Sequence, residues 1–328
     1  MSFLRKNLFV CGIITVLLLA WLFPGLGAKD GILKTGLTTK LGVMVIFFLQ
    51  GTTLRTRQLA SSLGNLKLHS FVLGWIFIFS ALIHLAMAWL LHSLSMDVLA
   101  QGFIYLALIP TTITSAIIFT SAANGNIPAS IFNTTVSNVA GVFWVPFGFV
   151  LFFSSNGGVQ LQLVGPLLFK VSQLILLPLI AGQILRPFIR EKKWFQSISP
   201  KLKILNHGII LFIVFSSFSQ SFLSNAWEGI QPQSLIVLIL LTSLTVVIVH
   251  GGVWKSSGWI GLNREDRITA LYCGSQKTLA AGAPMAVAIL AGSQQFNQIN
   301  QGLLLLPLLC YHPMQLLLAA IVLKRLEK

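Results

Sequence analysis

The chain has 328 residues, 55% of them hydrophobic and only 9% charged, with a formal net charge of +15. A soluble domain carries about 25% charged residues, so this chain has too little polar surface to coat a globule in water. It has enough apolar residues for many bilayer spans of about 20 residues each. The basic excess does not indicate nucleic acid: the Lys and Arg residues fall at the ends of apolar runs and form no basic face with interleaved aromatics.

Apolar runs predict ten helices, at 7–24, 37–53, 70–94, 101–123, 127–153, 165–187, 207–224, 234–254, 268–292 and 300–323. Helices are the default because backbone groups in lipid must bond within their own segment. A β-barrel would alternate apolar and polar residues, and this chain does not. The first run follows Arg5 and Lys6 like a signal peptide, but it ends in Pro24-Gly25 without a small-residue cleavage site, so it is read as a span. Cys11, Cys273 and Cys310 all lie inside apolar runs, which argues against a disulfide framework or a zinc site.

The basic residues orient these spans. With a cytoplasmic N-terminus, the inside segments hold Arg5, Lys6, Arg55, Arg57, Lys67, Arg186, Arg190, Lys192, Lys193, Lys201 and Lys203. They also hold Lys255, Arg264, Arg267, Lys324, Arg325 and Lys328. Lys29, Lys34 and Lys40 are outside, and Lys170 and Lys277 fall within spans. That accounts for all 22 basic residues. The bias fits the positive-inside rule and places both termini in the cytoplasm. Short loops and the lack of a eukaryotic targeting signal favour a bacterial cytoplasmic (inner) membrane. Arg186 to Lys203 is expected to be the longest soluble connector. The one transmembrane domain is read as repeat one, 1–160, and repeat two, 161–328, each of five spans. An odd number of spans per repeat inverts one repeat relative to the other, as in many secondary transporters.

Two spans carry an interruption. The fourth contains Pro110, Thr111, Thr112, Ile113, Thr114 and Ser115. The ninth contains Cys273, Gly274, Ser275, Gln276, Lys277 and Thr278. Each puts a helix breaker or Gly beside clustered hydrogen-bonding side chains, and each is the fourth span of its half. A shift of about half the chain superposes Ser115 on Thr278 and Thr114 on Lys277. One such feature alone would read as a proline kink bridged by hydroxyls. Two at matching places indicate a binding site, because unwound backbone in lipid is tolerated only where it is buried in protein or lines a cavity.

On the fifth span Ser130, Asn133, Thr134, Ser137 and Asn138 recur at helical spacing and make one polar stripe. Interhelical hydrogen bonding is the plain alternative to a functional role. Lys277 is the sharpest single feature. A lysine near the bilayer centre costs at least ~2.5 kcal/mol, and no intramembrane Asp or Glu exists to pair with it. It could hold an anionic solute, take the place of a cation or titrate. It is ten residues from Arg267, about 15 Å at helical rise, which is too deep for easy snorkelling. His312, in Tyr311-His312-Pro313-Met314-Gln315, is a further candidate, and His84 reads as structural. The end of the second span, Phe48 to Thr53, is small and polar.

At these interrupted spans the chain resembles the bile acid:sodium symporter superfamily, and most closely its SBF-like branch, the bacterial relatives of solute carrier family 10 member 7. The stretches that carry the resemblance are PTTITSAIIFTSAANGN at 110–126, CGSQKTLAAGAPMA at 273–286 and FFLQGTTL at 47–54. The resemblance implies an all-α polytopic fold of ten transmembrane helices in two inverted five-helix repeats. Spans 3, 4, 5, 8, 9 and 10 would form a core and the others a panel. The interrupted fourth and ninth helices would cross, and core would move against panel in alternating access. By position, Ser115, Ser130 and Thr134 match places lining one sodium site, and Gln276 matches a ligand of the other. Where the symporters carry a shared glutamate, this chain has Tyr272, and the asparagine after the glutamine is replaced by Lys277. One anion is lost and one cation gained, so two-sodium coupling is not expected in its usual form.

The expected function is a secondary transporter of a small, anionic organic solute. Substrate and ions would meet Thr111, Thr112, Thr114, Ser115, Ser130, Asn133, Thr134, Ser275, Gln276, Lys277, Thr278 and His312. The partners are that solute and membrane lipid, not nucleic acid. No organic cofactor is expected, and sodium is the implied coupling ion. An intramembrane enzyme would need a catalytic constellation, and no paired acids or HExxH motif occur. An animal relative is associated with calcium homeostasis, so a non-transporting regulatory membrane protein affecting ion homeostasis is the second reading.

Overall fold

The computed structural model describes residues 8–29, 31–53, 64–153, 161–224, 226–228, 230–296 and 298–326. Among them there is no strand. The helices are α1 (Leu8–Leu22), α2 (Thr35–Thr53), α3 (Leu66–Ser93), α4 (Asp97–Leu108), α5 (Thr114–Ala122), α6 (Ile127–Phe153) and α7 (Leu161–Leu174). They continue with α8 (Leu176–Ile189), α9 (Lys193–Leu223), α10 (Pro232–Trp259), α11 (Arg264–Gly274), α12 (Leu279–Gly292) and α13 (Gln301–Leu326). Among the described residues six helical segments are long and apolar enough to cross a membrane: Leu66–Ser93, Ile127–Phe153, Val164–Ile189, Lys193–Leu223, Pro232–Trp259 and Gln301–Leu326. Large side chains such as Trp89, Phe188 and Leu240 are exposed. A surface of that kind is stable against lipid and not against water, and the chain is a multi-pass membrane protein. Of the basic residues used to orient it, Arg5, Lys6, Arg55, Arg57 and Lys328 lie outside the described residues.

One expectation is corrected. Arg186 to Lys203 is not a long soluble connector: α8 continues to Ile189 and α9 begins at Lys193. A 31-residue helix is about 46 Å long, well beyond the ~30 Å hydrocarbon core. The basic first turns of α9 can therefore be helical and still stand outside the hydrocarbon. Pro200 sits inside that helix without ending it.

The residues group into two compact units. One comprises Met1–Leu54, Val150–Ile230 and Ala283–Leu303. Within it α2 and α8 pack backbone to backbone. A Cβ on Gly182 would lie 2.2 Å from the Phe48 carbonyl oxygen, and one on Gly51 would lie 2.2 Å from that of Leu179. Without a hydrophobic drive between helices in lipid, such small-residue contacts provide the packing.

The other unit comprises Arg55–Phe149, Gln231–Gly282 and Leu304–Lys328. Its core includes Leu68, Val72, Trp75 and Ile76 of α3, Val249 and Val253 of α10, and Cys273 of α11. α3 begins at Asn65, whose side chain accepts from the Leu68 amide at 3.2 Å, a regular N-cap. Over Trp75–Phe79 it widens into a π turn in which the Ser80 amide reaches back to the Trp75 carbonyl. α11 begins at Asn263, whose side chain accepts from the Asp266 amide, and has Glu265 and Asp266 in its first turn, the favourable end for acids.

Gly182→Val is expected to lower the stability of detergent-purified protein by ~1–3 kcal/mol, the usual cost of overpacking. Gly165→Val, where an added Cβ would meet nothing within 4 Å, is the control. Equal melting temperatures for the two variants would contradict the α2–α8 contact.

Candidate functional site

Two helices break inside the second unit. α4 stops at Leu108 because the proline at 110 bars Ile109 from the helical region, and Ile109 is extended, with φ −73° and ψ 136°. The chain resumes helix at Thr114 as α5. α11 stops at Gly274, and α12 begins at Leu279. The two non-helical runs meet: the Thr278 amide donates to the Pro110 carbonyl at 3.0 Å. Small residues permit the approach, since a Cβ on Gly282 would lie 2.9 Å from Ile109 and one on Gly141 2.8 Å from the Pro110 ring.

Side chains from intact helices satisfy backbone groups that the breaks release, as a site away from water requires. Gln315 of α13 accepts from the Lys277 amide at 2.7 Å and donates to the Lys277 carbonyl at 2.8 Å. Tyr311 donates to the Ser275 carbonyl at 2.9 Å. Asn138 of α6 donates to the Thr111 carbonyl at 2.9 Å. The Thr278 hydroxyl accepts from the Ala281 amide at 3.3 Å and caps α12.

Lys277 is 1% exposed. Its ammonium donates to the carbonyl oxygens of Ile109 at 2.9 Å, Ile76 at 3.1 Å and Ala107 at 3.5 Å. The Ala107 carbonyl lies in the last turn of α4, where helical donors are lacking, and the Ile109 carbonyl follows it in the break. The Ile76 carbonyl belongs to the π turn of α3 and also accepts from the Ser80 hydroxyl at 3.0 Å. The ammonium is therefore bound by backbone dipoles and not presented to a carboxylate.

Beside it lies a cluster of neutral oxygens. Ser115 donates to Gln276 Oε1 at 2.7 Å and Thr112 donates to the same oxygen at 3.3 Å, while the Thr112 and Ser115 hydroxyls bond each other. Gln276 Nε2 and Thr111 Oγ1 are buried without a hydrogen-bond partner, so each retains capacity for a ligand. A hard cation would find oxygen donors in Thr112, Ser115 and Gln276 but no carboxylate among them. Tyr272, which the resemblance to the symporters matches to their shared glutamate, stacks on Phe119 with ring centroids 5.4 Å apart. Among the described residues no group of three His, Cys, Asp or Glu side chains could hold a metal ion.

The remaining candidates are placed differently. Thr114 is exposed. Ser275 bonds the Leu271 carbonyl of its own helix at 2.6 Å. Thr134 likewise bonds the Ser130 carbonyl at 2.8 Å. Ser130 faces Cys273 Sγ at 3.2 Å, and Asn133 faces His69 at 3.2 Å. His312 is half-buried and its Nδ1 lies 3.0 Å from Gln315 Nε2. Of the four residues matched to sodium ligands, Ser115 and Gln276 are bonded to each other, while Ser130 and Thr134 lie along α6. Tyr311 and Gln315, and the π turn at Ile76, are central here and lie outside the expected site, as does Asn138 except as the end of the polar stripe. Gln315 sits one turn beyond His312 in the same polar segment, and Asn138 ends the α6 stripe. The π turn leaves no signature in its Trp-Ile-Phe-Ile-Phe sequence.

A multi-pass membrane protein in which two broken helices meet around polar side chains and unwound backbone is of the broken-helix transporter class. The model of the SBF-like CPA transporter family matches residues 7–328, and the chain belongs to that family. It is 31% identical to the Pseudomonas aeruginosa protein PA2026 over 98% of this chain and 93% of that one. It is 31% identical to sodium/bile acid cotransporter 7 of Danio rerio over 98% and 94% of the two chains. Against sodium/bile acid cotransporter 7-B of Xenopus laevis the identity is 30%, over 97% and 91%. The protein is a membrane transporter.

Gln315→Leu would leave the Lys277 amide and carbonyl buried and unpaired. At ~1–3 kcal/mol for each unsatisfied group, the variant is expected to lose several degrees of melting temperature in detergent. A variant as stable as the wild type would show that these bonds do not hold the break.

Proposed function

We propose that the protein is a secondary transporter that moves a small, anionic organic solute by alternating access, with Lys277 resident in place of one sodium ion. The observation that carries this reading is the ammonium held by three backbone carbonyls where two helices break. A monovalent cation fixed in the chain gives the carbonyls what a bound sodium would otherwise supply. It also leaves a positive charge with no acidic partner, which favours an anion nearby. Thr111, Thr112, Ser115 and Gln276 are the groups assigned to solute or to one weak ion site.

The reading takes the chain as ten spans in two inverted repeats, with a core and a panel. The grouping of α3, α4, α5, α10 and α11 in one unit and of α1, α2, α7, α8 and α9 in another supports that division. Both termini are assigned to the cytoplasm and the protein to the inner membrane, on the distribution of Lys and Arg.

The test is ligand-dependent thermal stabilisation of purified protein with carboxylates, sulfonates and phosphate esters, each in sodium, potassium or choline salts. A solute at 100 times its dissociation constant adds ~2.7 kcal/mol of stability. Wild-type protein is expected to respond to an anionic solute irrespective of sodium. Lys277→Asn, which replaces the fixed charge with a neutral amide, is expected to acquire a sodium requirement. Sodium dependence in the wild type, or its absence in Lys277→Asn, would overturn the resident-cation reading. Failure of every solute to bind, or to enter proteoliposomes, would overturn transport of such anions.

A further inference from the structure

Away from the broken helices, the ends of α10, α11 and α13 meet at one corner of the second unit. Trp254 of α10 packs with Leu323 and Leu326 of α13 around Ile268 of α11. Arg264 of α11 donates to the Leu326 carbonyl at 2.6 Å. Arg267 donates to the Trp254 carbonyl at 3.2 Å, and its guanidinium carbon lies 4.3 Å from the Trp254 ring centre. A guanidinium has five N–H donors, and each of these two spends one. Arg267 Nε is buried without a partner. Lys255, next to Trp254, and Lys324 and Arg325, next to Leu326, are exposed. Their side chains make no hydrogen bond or ion pair among the described residues.

The acids nearby do not neutralise these cations. Both stand in the first turn of α11. Asp266 is buried and accepts from Asn65 at 2.7 Å and from Asn126 at 2.9 Å. Glu265 is exposed and pairs with no cation among the described residues. The surface that leads to the corner is apolar. Ser243 of α10 meets Met314 of α13 at 3.3 Å. From there Val247 and Gly251 on α10, and Leu317 and Ile321 on α13, run toward the corner, and all four are exposed. An added Cβ on Gly251 would meet nothing within 4 Å, so a chain has room to lie against this side of α10. Trp259, at the end of α10, is 81% exposed, and tryptophans of that kind mark the membrane–water boundary. Unpaired cations at that boundary, above an apolar strip, match an anionic amphiphile. A soluble anion would use the cations and leave the strip uncovered.

We propose that this corner binds an anionic phospholipid, with the phosphodiester among Lys255, Arg267 and Arg325 and an acyl chain against Gly251 and Ile321. A phosphodiester supplies charged acceptor oxygens to N–H donors that have none, and arginine forks suit that geometry. A zwitterionic headgroup would bring its own ammonium into a cluster of cations and is disfavoured. The corner lies at the membrane face that the Lys and Arg distribution assigns to the cytoplasm, where anionic lipid attracts basic side chains. A lipid held there joins α10 and α11 to α13, the helix whose Tyr311 and Gln315 hold the break in α11. The bound lipid therefore braces the broken-helix unit from the membrane side, whatever solute the protein carries.

Full-length protein, delipidated in neutral detergent, is titrated with phosphatidylglycerol, with phosphatidylcholine of the same acyl chains, or with glycerol 3-phosphate. Binding is read by native mass spectrometry and by melting temperature. Phosphatidylglycerol is expected to bind and to raise the melting temperature at concentrations where phosphatidylcholine does neither. In the double variant Lys255→Gln, Arg325→Gln its half-saturating concentration is expected to rise ~10-fold or more, the scale set by two cations at a membrane surface. The double variant Lys192→Gln, Lys193→Gln removes the same charge from exposed positions at the start of α9, in the other unit, and is expected to bind as the wild type does. Equal binding of the two lipids, or the same response in both double variants, overturns the proposal. Saturation by glycerol 3-phosphate at the concentration that suffices for phosphatidylglycerol would assign the corner to a soluble phosphate and overturn the lipid. The comparison of lipids on wild-type protein needs no variant, so misfolding of a substitution leaves the test intact. No readout uses a transported solute, so failure here is distinguishable from failure of the transport reading.

Discussion

A charge removed from water has to be balanced by an opposite charge or by well-placed dipoles, because an isolated ammonium in a low-dielectric interior is too costly to keep. At Lys277 the balance comes from backbone. Three carbonyl oxygens surround the nitrogen, and each is available only because a helix departs from regular geometry. α4 ends early at Leu108, the chain then runs extended through Ile109, and α3 opens into a π turn at Trp75–Phe79. Three local departures that would each be a defect in a lipid-facing helix become one binding site when they converge.

The same requirement governs the rest of the crossing. Unwound backbone inside a membrane protein must find partners, and here they come from polar side chains on helices that are themselves unbroken. Gln315 takes both the amide and the carbonyl of Lys277, Tyr311 takes the carbonyl of Ser275, and Asn138 takes the carbonyl of Thr111. The two breaks also support each other through the Thr278 amide and the Pro110 carbonyl. What is left over is informative. Gln276 Nε2 and Thr111 Oγ1 are buried and unpaired at the breaks, and each keeps unused hydrogen-bonding capacity there.

Membership of the SBF-like CPA transporter family places this crossing among transporters, and relatives across bacteria and vertebrates share about 30% of their residues with the chain over nearly its whole length. Against the bile acid:sodium symporter pattern that the sequence resembles, the local chemistry differs. Tyr272 stands where a shared glutamate is expected, packed against Phe119, and a cation stands where an asparagine is expected. Removing an anion and adding a cation at neighbouring positions changes the local charge by two units in the same direction. The pair of replacements is coherent with a site that carries its own cation.

Much of this was legible in residues. Long apolar runs with few charges require a membrane, since no folded arrangement can hide that much hydrocarbon from water. Pro110 and Gly274, each beside hydroxyl and amide side chains, located both breaks, because a missing donor or a missing Cβ acts on the backbone locally. The depth of Lys277 followed from its ten-residue distance to Arg267. The connector at 186–203 was misjudged because basic residues signal water but do not forbid helix, so α9 could begin at Lys193. What composition and spacing could not supply is the choice of partner. Ser130, Asn133 and Thr134 share a helix face with Asn138, yet Asn138 is the one that reaches the break and Thr134 turns back to its own helix. Gln315 rather than His312 meets Lys277, and the third carbonyl of the cage comes from a π turn some two hundred residues away in sequence. The sequence by itself determined the solvent and the two helix breaks at Pro110 and Gly274. The tertiary structure alone decided which dipoles the buried ammonium would meet, because hydrogen bonds at 3 Å depend on how distant segments are brought together, and periodicity within one segment carries no record of that.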